Sequence, residues 1–280
     1  MDGKKVCIDI GGTKMLFALL DSRQKILRWK EIYTPETKAA FKAAMRDNVR
    51  EFAGESDVVN ISVPGRTDDR GRIIFAPNAP MAGINLKKEL SRWFKYINVE
   101  NDANCFAIYE IFKGPLKKAK SGLILVWGTG VGGSIVINGR VYKGAGLASE
   151  LGHIRLFDRE SGDLESLIGG NSVMKRYYSS GLELHSMALK GNDKARRDFD
   201  RIGRIFGRYL SSLMYVLDPE VIILGGSFMK SWNFMKKTVK KEIYKSTIRK
   251  KVKIKVVNDK FYVIRGCYFL DEYEKIHNKL

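Results

Sequence analysis

The sequence predicts an α/β protein of two halves, with mixed sheets flanked by helices. A glycine-rich loop between hydrophobic, strand-like runs occurs twice, at Asp9-Ile10-Gly11-Gly12-Thr13-Lys14 and at Gly128-Thr129-Gly130-Val131-Gly132-Gly133. The first loop belongs to three antiparallel strand-like runs that give way to alternating helices and strands, the layout of a mixed sheet covered by helices. From Gly122 the strand-loop-strand pattern starts again. Both loops put glycine where the backbone turns tightly without a Cβ, so that amide N–H groups can converge on an anion. Two such cradles in one chain point to a nucleotide held between two halves.

Residues 6–10 and 15–20 are the first two strands and 25–33 the third. A helix is expected over 36–52, then a buried strand at 58–63 stopped by Pro64-Gly65, a short helix at 86–94, and a strand at 97–100. That strand runs into Asn101-Asp102 and a helix ending near Phe112. Gly114-Pro115 and the polar stretch 117–122 make the best linker. The expected halves are 1–115 with a C-terminal helix at 266–280, and 116–265. In the second, 172–216 reads as helices, with Ile202, Ile205, Phe206, Tyr209, Leu210, Leu213 and Val216 on one apolar face. Gly203 and Gly207 there read as close-packing positions. Residues 220–224 form a buried strand closed by Gly225-Gly226-Ser227.

The 280 residues are 44% hydrophobic and 29% charged, ordinary for a globular protein. No apolar stretch approaches the roughly 20 residues of a membrane span, and the early first strand leaves no room for a signal peptide, so a cytoplasmic protein is expected. The three cysteines, Cys7, Cys105 and Cys267, lack the spacing of a disulfide framework or a zinc site and read as buried small hydrophobes. A net charge of +19 raises nucleic acid as a partner. Much of the excess lies in 230–260, where Lys236, Lys237, Lys240, Lys241 and Lys245 recur along a helix and Lys251, Lys253 and Lys255 alternate with Val252, Ile254 and Val256. No aromatics that could stack on bases are interleaved, so the reading is a solvated face without a specific nucleic-acid partner.

Three places carry chemistry. Asp9 ends a buried strand directly before Gly11-Gly12-Thr13, where a carboxylate suits a magnesium ion beside phosphates, directly or through water. Asp102, between a strand and a helix, is either an N-cap or a base for an attacking hydroxyl, and a strand-end position in a nucleotide-binding fold favours the base. The segment 144–153, with Glu150 and His153, and Glu165 beyond it, forms a glycine-rich polar cluster suited to binding several hydroxyls.

Together Asp9-Ile10-Gly11-Gly12-Thr13-Lys14, Glu100-Asn101-Asp102-Ala103-Asn104, the Gly128 loop, Glu150-Leu151-Gly152-His153 and Asp218-Pro219-Glu220 through Gly225-Gly226 resemble the ordered signatures of the ROK (repressor, open reading frame, kinase) family. The resemblance implies the actin-like, ribonuclease H-like two-domain ATPase fold and an ATP-dependent hexose kinase acting on a hexose or N-acylhexosamine, usually at C6. It implies Asp102 as the base. It also implies Asn101, Glu150, His153 and Glu165 on the sugar, with Gly65 and Asn78 lining the same pocket. Gly11, Gly12, Thr13 and Lys14, with Thr129, Gly130 and Gly132, would hold the ATP phosphates, and Gly225-Gly226 would lie under the adenosine.

One departure stands out. Family members usually carry three cysteines between the His and the second Glu and bind a structural zinc, whereas residues 154–164 here contain none and Asp163 stands where one cysteine belongs. No zinc is therefore expected, because zinc needs about four such ligands. The alternative is a non-catalytic, sugar-responsive regulator or sugar-binding protein of the same family. Only eight residues precede Asp9, so no helix-turn-helix is expected ahead of the first loop. Dimers are common in the resembled family, which adds a homodimer to the expectations.

Overall fold

The computed structural model describes residues 3–68, 70–76, 80–145, 148–155, 162–246 and 252–277. Strands β1 (Lys5–Ile10), β2 (Lys14–Leu20) and β3 (Ile26–Tyr33) precede helix α1 (Lys38–Arg50) and β4 (Val58–Val63). The short β5 (Arg66–Thr67) and β6 (Ile73–Phe75), α2 (Leu86–Leu90), β7 (Tyr96–Asn101) and α3 (Asp102–Phe112) follow. Then come β8 (Ser121–Trp127), β9 (Val131–Ile137), β10 (Arg140–Val141), α4 (Leu164–Ile168), α5 (Gly170–Tyr177), α6 (Gly181–Leu189) and α7 (Asp193–Leu217). The chain closes with β11 (Val221–Gly225), α8 (Trp232–Ser246), β12 (Lys253–Val256), α9 (Tyr262–Tyr268) and α10 (Leu270–His277).

Two compact units result, one of residues 1–114 with 261–280 and the other of 115–260. In the first, five strands form a sheet ordered β3-β2-β1-β4-β7, with β1, β4 and β7 parallel, and β5 pairs separately with β6. One face is buried by Phe41, Met45 and Val49 of α1 and Leu86 and Leu90 of α2. Against β1 and β4 also packs α9, and α9 crosses α3 at backbone contact, since a Cβ on Gly266 would lie 1.8 Å from the Cys105 carbonyl oxygen. The sequence reading started the last helix at 266, but the chain turns helical at Tyr262 and breaks at Phe269 into two helices. The apolar run Phe261 to Ile264 has no period that separates strand from helix. All three cysteines are buried here, with Cys105 and Cys267 hydrogen-bonded and Cys7 beside them.

The second unit carries a five-stranded sheet ordered β10-β9-β8-β11-β12. Its core runs through Trp127, Phe199, Ile202, Phe206 and Tyr209, each fully buried and each contributing roughly 1.5–3 kcal/mol by leaving water. Trp127 stacks on Phe228 at 4.3 Å and donates its indole N–H to the Ile168 carbonyl at 2.9 Å. On α7 the expected apolar face is buried at Ile202, Phe206, Tyr209, Leu210 and Leu213, while Ile205 is half-buried and Val216 is exposed. Gly203 and Gly207 are close-packing positions: Cβ atoms there would meet Met235 at 3.0 Å and Glu242 at 2.7 Å on α8. No helix among the described residues is long and apolar enough to cross a membrane.

Candidate active-site residues in the two units

In the first unit, three parallel strands deliver the candidate residues to their carboxyl ends, where ligands of open α/β sheets bind. The register aligns Asp9 with Ser62 and Ser62 with Glu100 across β1, β4 and β7. Ser62 donates its hydroxyl to the Asp9 carboxylate. Burial nevertheless pushes the Asp9 carboxyl up to about 6, against that hydrogen bond. The turn after Asp9 is braced from the end of β3. Thr34 donates its hydroxyl to the Gly11 carbonyl at 2.7 Å and its amide to the Thr13 carbonyl at 2.9 Å. Gly12 and Thr13 stay exposed at the tip. Lys14 reaches sideways to Glu31 on β3, at 2.5 Å.

Two residues beyond Glu100 stands Asp102, the first residue of α3. The cap belongs to Asn101, whose side-chain oxygen accepts from the amides of Ala103 at 2.9 Å and Asn104 at 3.2 Å. Its amide nitrogen donates to the Gly65 carbonyl at 3.0 Å, and Gly65 turns at a φ of +81° that favours glycine. Asp102 also accepts from the Ala103 amide, at 2.7 Å. Buried Glu100 orients this corner by accepting from the Asn101 amide at 2.9 Å and the Asn104 side chain at 3.0 Å. Ser62 and Glu100 are supporting residues that sequence reasoning did not single out. Their signal was position alone, Glu100 one residue before the Asn-Asp pair and Ser62 near the end of a buried strand. The same corner holds Tyr262, on Phe106 at 4.6 Å, whose phenol is raised by burial and further by the charges of Asp9 and Asp102. Asn78 lies outside the described residues.

In the second unit the Gly128 loop joins β8 to β9, and the amides of Gly170 and Asn171 at the start of α5 donate to the carbonyls of Gly128 at 3.1 Å and Thr129 at 3.2 Å. Glu165 lies against this loop, its Oε2 accepting from the Val131 amide at 2.8 Å. A Cβ on Gly130 would fall 2.2 Å from that oxygen, so glycine there makes room for the carboxylate. A Cβ on Gly132 would meet no atom within 4 Å, so the protein itself leaves space above it. Gly225 pairs in register with Val126, and Gly226, at a φ of +95°, lies against Trp127 so closely that a Cβ would sit 2.3 Å from its carbonyl oxygen. The Gly128 loop and the Gly225-Gly226 turn thus follow the carboxyl ends of two adjacent parallel strands, β8 and β11.

The turn carrying Glu150 and His153 is fixed from three sides. Tyr209 donates its phenol to the Leu151 carbonyl, and Gly152 lies under β9, where a Cβ would be 2.0 Å from the Val131 carbonyl oxygen. His153 Nδ1 meets Asp163 Oδ2 at 3.1 Å, and Asp163 Oδ1 caps α4 by accepting from the Ser166 amide at 2.8 Å. The hydrogen bond to Asp163 holds the imidazole above its ordinary range, with burial opposing and the charges of Glu165, Asp163 and Glu150 adding. Asp163 is held below the carboxylate range, because the Ser166 amide and His153 outweigh its partial burial. Among the described residues no three His, Cys, Asp or Glu side chains are placed to hold a metal ion together.

The chain belongs to the ROK family, whose model matches residues 5–262. It is 31% identical over 249 residues to the N-acetyl-D-glucosamine kinase of Citrobacter koseri, an alignment covering 78% of this chain and 82% of that enzyme. The crystal structure of a ROK family glucokinase from Streptomyces griseus, in complex with glucose and AMPPNP, superposes with a TM-score of 0.82 at 23% identity, covering 97% of this chain and 99% of that one. A ROK family protein from Streptococcus pneumoniae in complex with sucrose gives 0.81 at 25% identity, over 99% and 100%. The fold is accordingly the actin-like ATPase fold with mixed sheets flanked by helices.

Proposed function

We propose that this chain, an ATP-dependent sugar kinase, transfers the γ-phosphoryl group of MgATP to the C6 hydroxyl of a hexose or N-acylhexosamine, with Asp102 as general base. The observation that carries the reading is the corner at Asn101-Asp102. Asn101 supplies the helix cap and a tie to Gly65, so the cap of α3 does not depend on Asp102. A carboxylate in that position takes the proton of the attacking hydroxyl as the oxygen–phosphorus bond forms.

In the same unit, Asn101 and Gly65 bind the sugar, a role that the family resemblance also gives to Asn78. Gly12 and Thr13 present backbone amides to phosphate oxygens, on a turn that the Gly11 amide closes by donating to the Lys14 carbonyl at 2.8 Å. Asp9 fits a magnesium ion, directly or through water: its carboxylate ends a strand beside the phosphate turn, and burial without a cation raises its pKa to about 6. Magnesium supplies neutralisation of phosphate charge when bound. In the second unit, Thr129, Gly130 and Gly132 receive the phosphates and Gly225-Gly226 the adenosine. Glu150, His153 and Glu165 bind sugar hydroxyls, with Glu165 oriented by the Val131 amide.

The relative of Citrobacter koseri acts on N-acetyl-D-glucosamine, which supports an N-acylhexosamine as the first substrate to try. An ADP-release assay over free hexoses and N-acylhexosamines tests the reading. Turnover that requires MgATP and one of these sugars supports it, and no ADP release with any of them overturns it.

A further inference from the structure

A pocket of about 540 Å³ opens in the second unit between the C-terminal end of α5 and one flank of α7. It contains none of the residues assigned above to sugar or ATP. Five cationic side chains line it: Arg176 on α5, and Lys194, Arg201, Arg204 and Arg208 on α7. Four of them have carboxylate partners: Arg204 pairs with Asp200 at 2.9 Å and Arg208 with Glu242 at 3.3 Å, while Lys194 and Arg201 share Asp198 at longer range. At the pocket's wall is one carboxylate, Asp198, whose side chain is only 5% exposed. Lys194 and Arg201 approach it no closer than 4.0 and 3.8 Å. Its Oδ2 accepts no hydrogen bond among the described residues.

A buried carboxylate oxygen without a donor is costly, so the pocket is chemically incomplete as it stands. What completes it must satisfy two demands at once: an anion for guanidinium groups that hold phosphate bidentately, and a hydroxyl or N–H donor for Asp198. Half-buried Tyr177, whose phenol is raised above its ordinary range by burial, adds a hydroxyl able to donate. A bare phosphate or polyphosphate meets only the first demand and sets like charge beside Asp198.

We propose that this pocket binds a phosphorylated sugar, with its phosphate on Arg176 and Arg201 and a ring hydroxyl donating to the Asp198 carboxylate. The choice of ligand rests on the kinase reading, because a hexose 6-phosphate is then what the enzyme releases. The pocket would let product concentration act on the second unit away from the sugar and ATP residues.

Equilibrium dialysis of the full chain without ATP, using labelled glucose 6-phosphate, N-acetylglucosamine 6-phosphate or inorganic phosphate, tests the site independently of turnover. The wild type should bind one of the sugar phosphates, and Arg176→Ala/Arg201→Ala should weaken that binding by roughly tenfold or more, the loss of charge-assisted hydrogen bonds. Asp198→Asn should weaken sugar phosphate binding while leaving inorganic phosphate unweakened or bound more tightly, since the like charge beside it is gone. The exposed single variant Arg176→Ala stands in if the double variant unfolds. Binding that is unchanged in the arginine variants, or inorganic phosphate binding as tightly as the sugar phosphates, would overturn the proposal. Failure of the ADP-release assay with intact, arginine-dependent dialysis would count against the kinase reading and leave the site standing.

Discussion

His153 Nδ1 and Asp163 Oδ2 face each other at 3.1 Å, and residues 154–164 contain no cysteine. The same carboxylate caps α4, which carries Glu165, so one side chain links the His153 turn to the Glu165 helix.

If that link takes the place of a metal, purified protein should contain no stoichiometric zinc, and a zinc-selective chelator should leave Tm unchanged. About one zinc per chain by elemental analysis would mean ligands outside the described residues. Asp163→Asn keeps the cap and removes the charge, so sugar KM should rise several-fold with kcat little changed. The pH dependence has a definite sign. A histidine whose pKa is raised by folding contributes stability that is complete below its ordinary range and is lost as pH rises through the raised value. The wild type should lose that small, solvent-screened contribution on alkaline titration, and Asp163→Asn should lose less.

Asp102→Asn should lower turnover by roughly 10²-fold or more, the usual weight of a general base. Tm should hardly move, since Asn101 caps α3 and asparagine keeps the bond from the Ala103 amide. Near-normal turnover would remove Asp102 as the base.

Asp9 gives the acid limb. Its carboxyl, raised by burial to about 6, favours the folded state below the ordinary carboxylate range, and that contribution is lost as pH rises through 6. Activity runs the other way, because only the carboxylate serves a cation. Turnover should fall as pH drops through about 6, and higher magnesium should move the fall to lower pH, which initial rates over a pH and magnesium grid would show. Asp9→Asn should keep or raise Tm while turnover drops by about 10²-fold.

Gly130→Ala should displace the Glu165 carboxylate from the Val131 amide, since the new Cβ would start 2.2 Å from Oε2. The obstacle is the end of a flexible side chain, so the expected effect is on KM, a several-fold rise for ATP or sugar, with a Tm change of only a few degrees. Unchanged Michaelis constants would mean that Glu165 does not act through this contact.

Much of this was legible locally. A glycine turn after a buried strand declares itself in a few residues, as do Asn101-Asp102 ahead of a helix and Gly203 and Gly207 on an apolar one. What was hidden depends on residues brought together by pairing or packing. The Asp9–Ser62–Glu100 alignment exists only once β1, β4 and β7 are in register, and Glu165 on the Val131 amide joins residues 34 positions apart. The arginine pocket was hidden in another way. Its cations are scattered from 176 to 208, with no local run to mark them, whereas the dense lysines lie beyond 230.

The three thiols Cys7, Cys105 and Cys267 all belong to the first unit, and residues 115–260 contain none. Each is sealed from solvent beside β1, α3 and α9, and burial lifts each pKa. Nature has thereby left a unit-specific clock in the chain. A thiol-reactive dye can label this protein only when the first unit opens, so the labelling rate times the breathing of that unit while the second stays silent, and a tightly held ligand of the first unit should slow it.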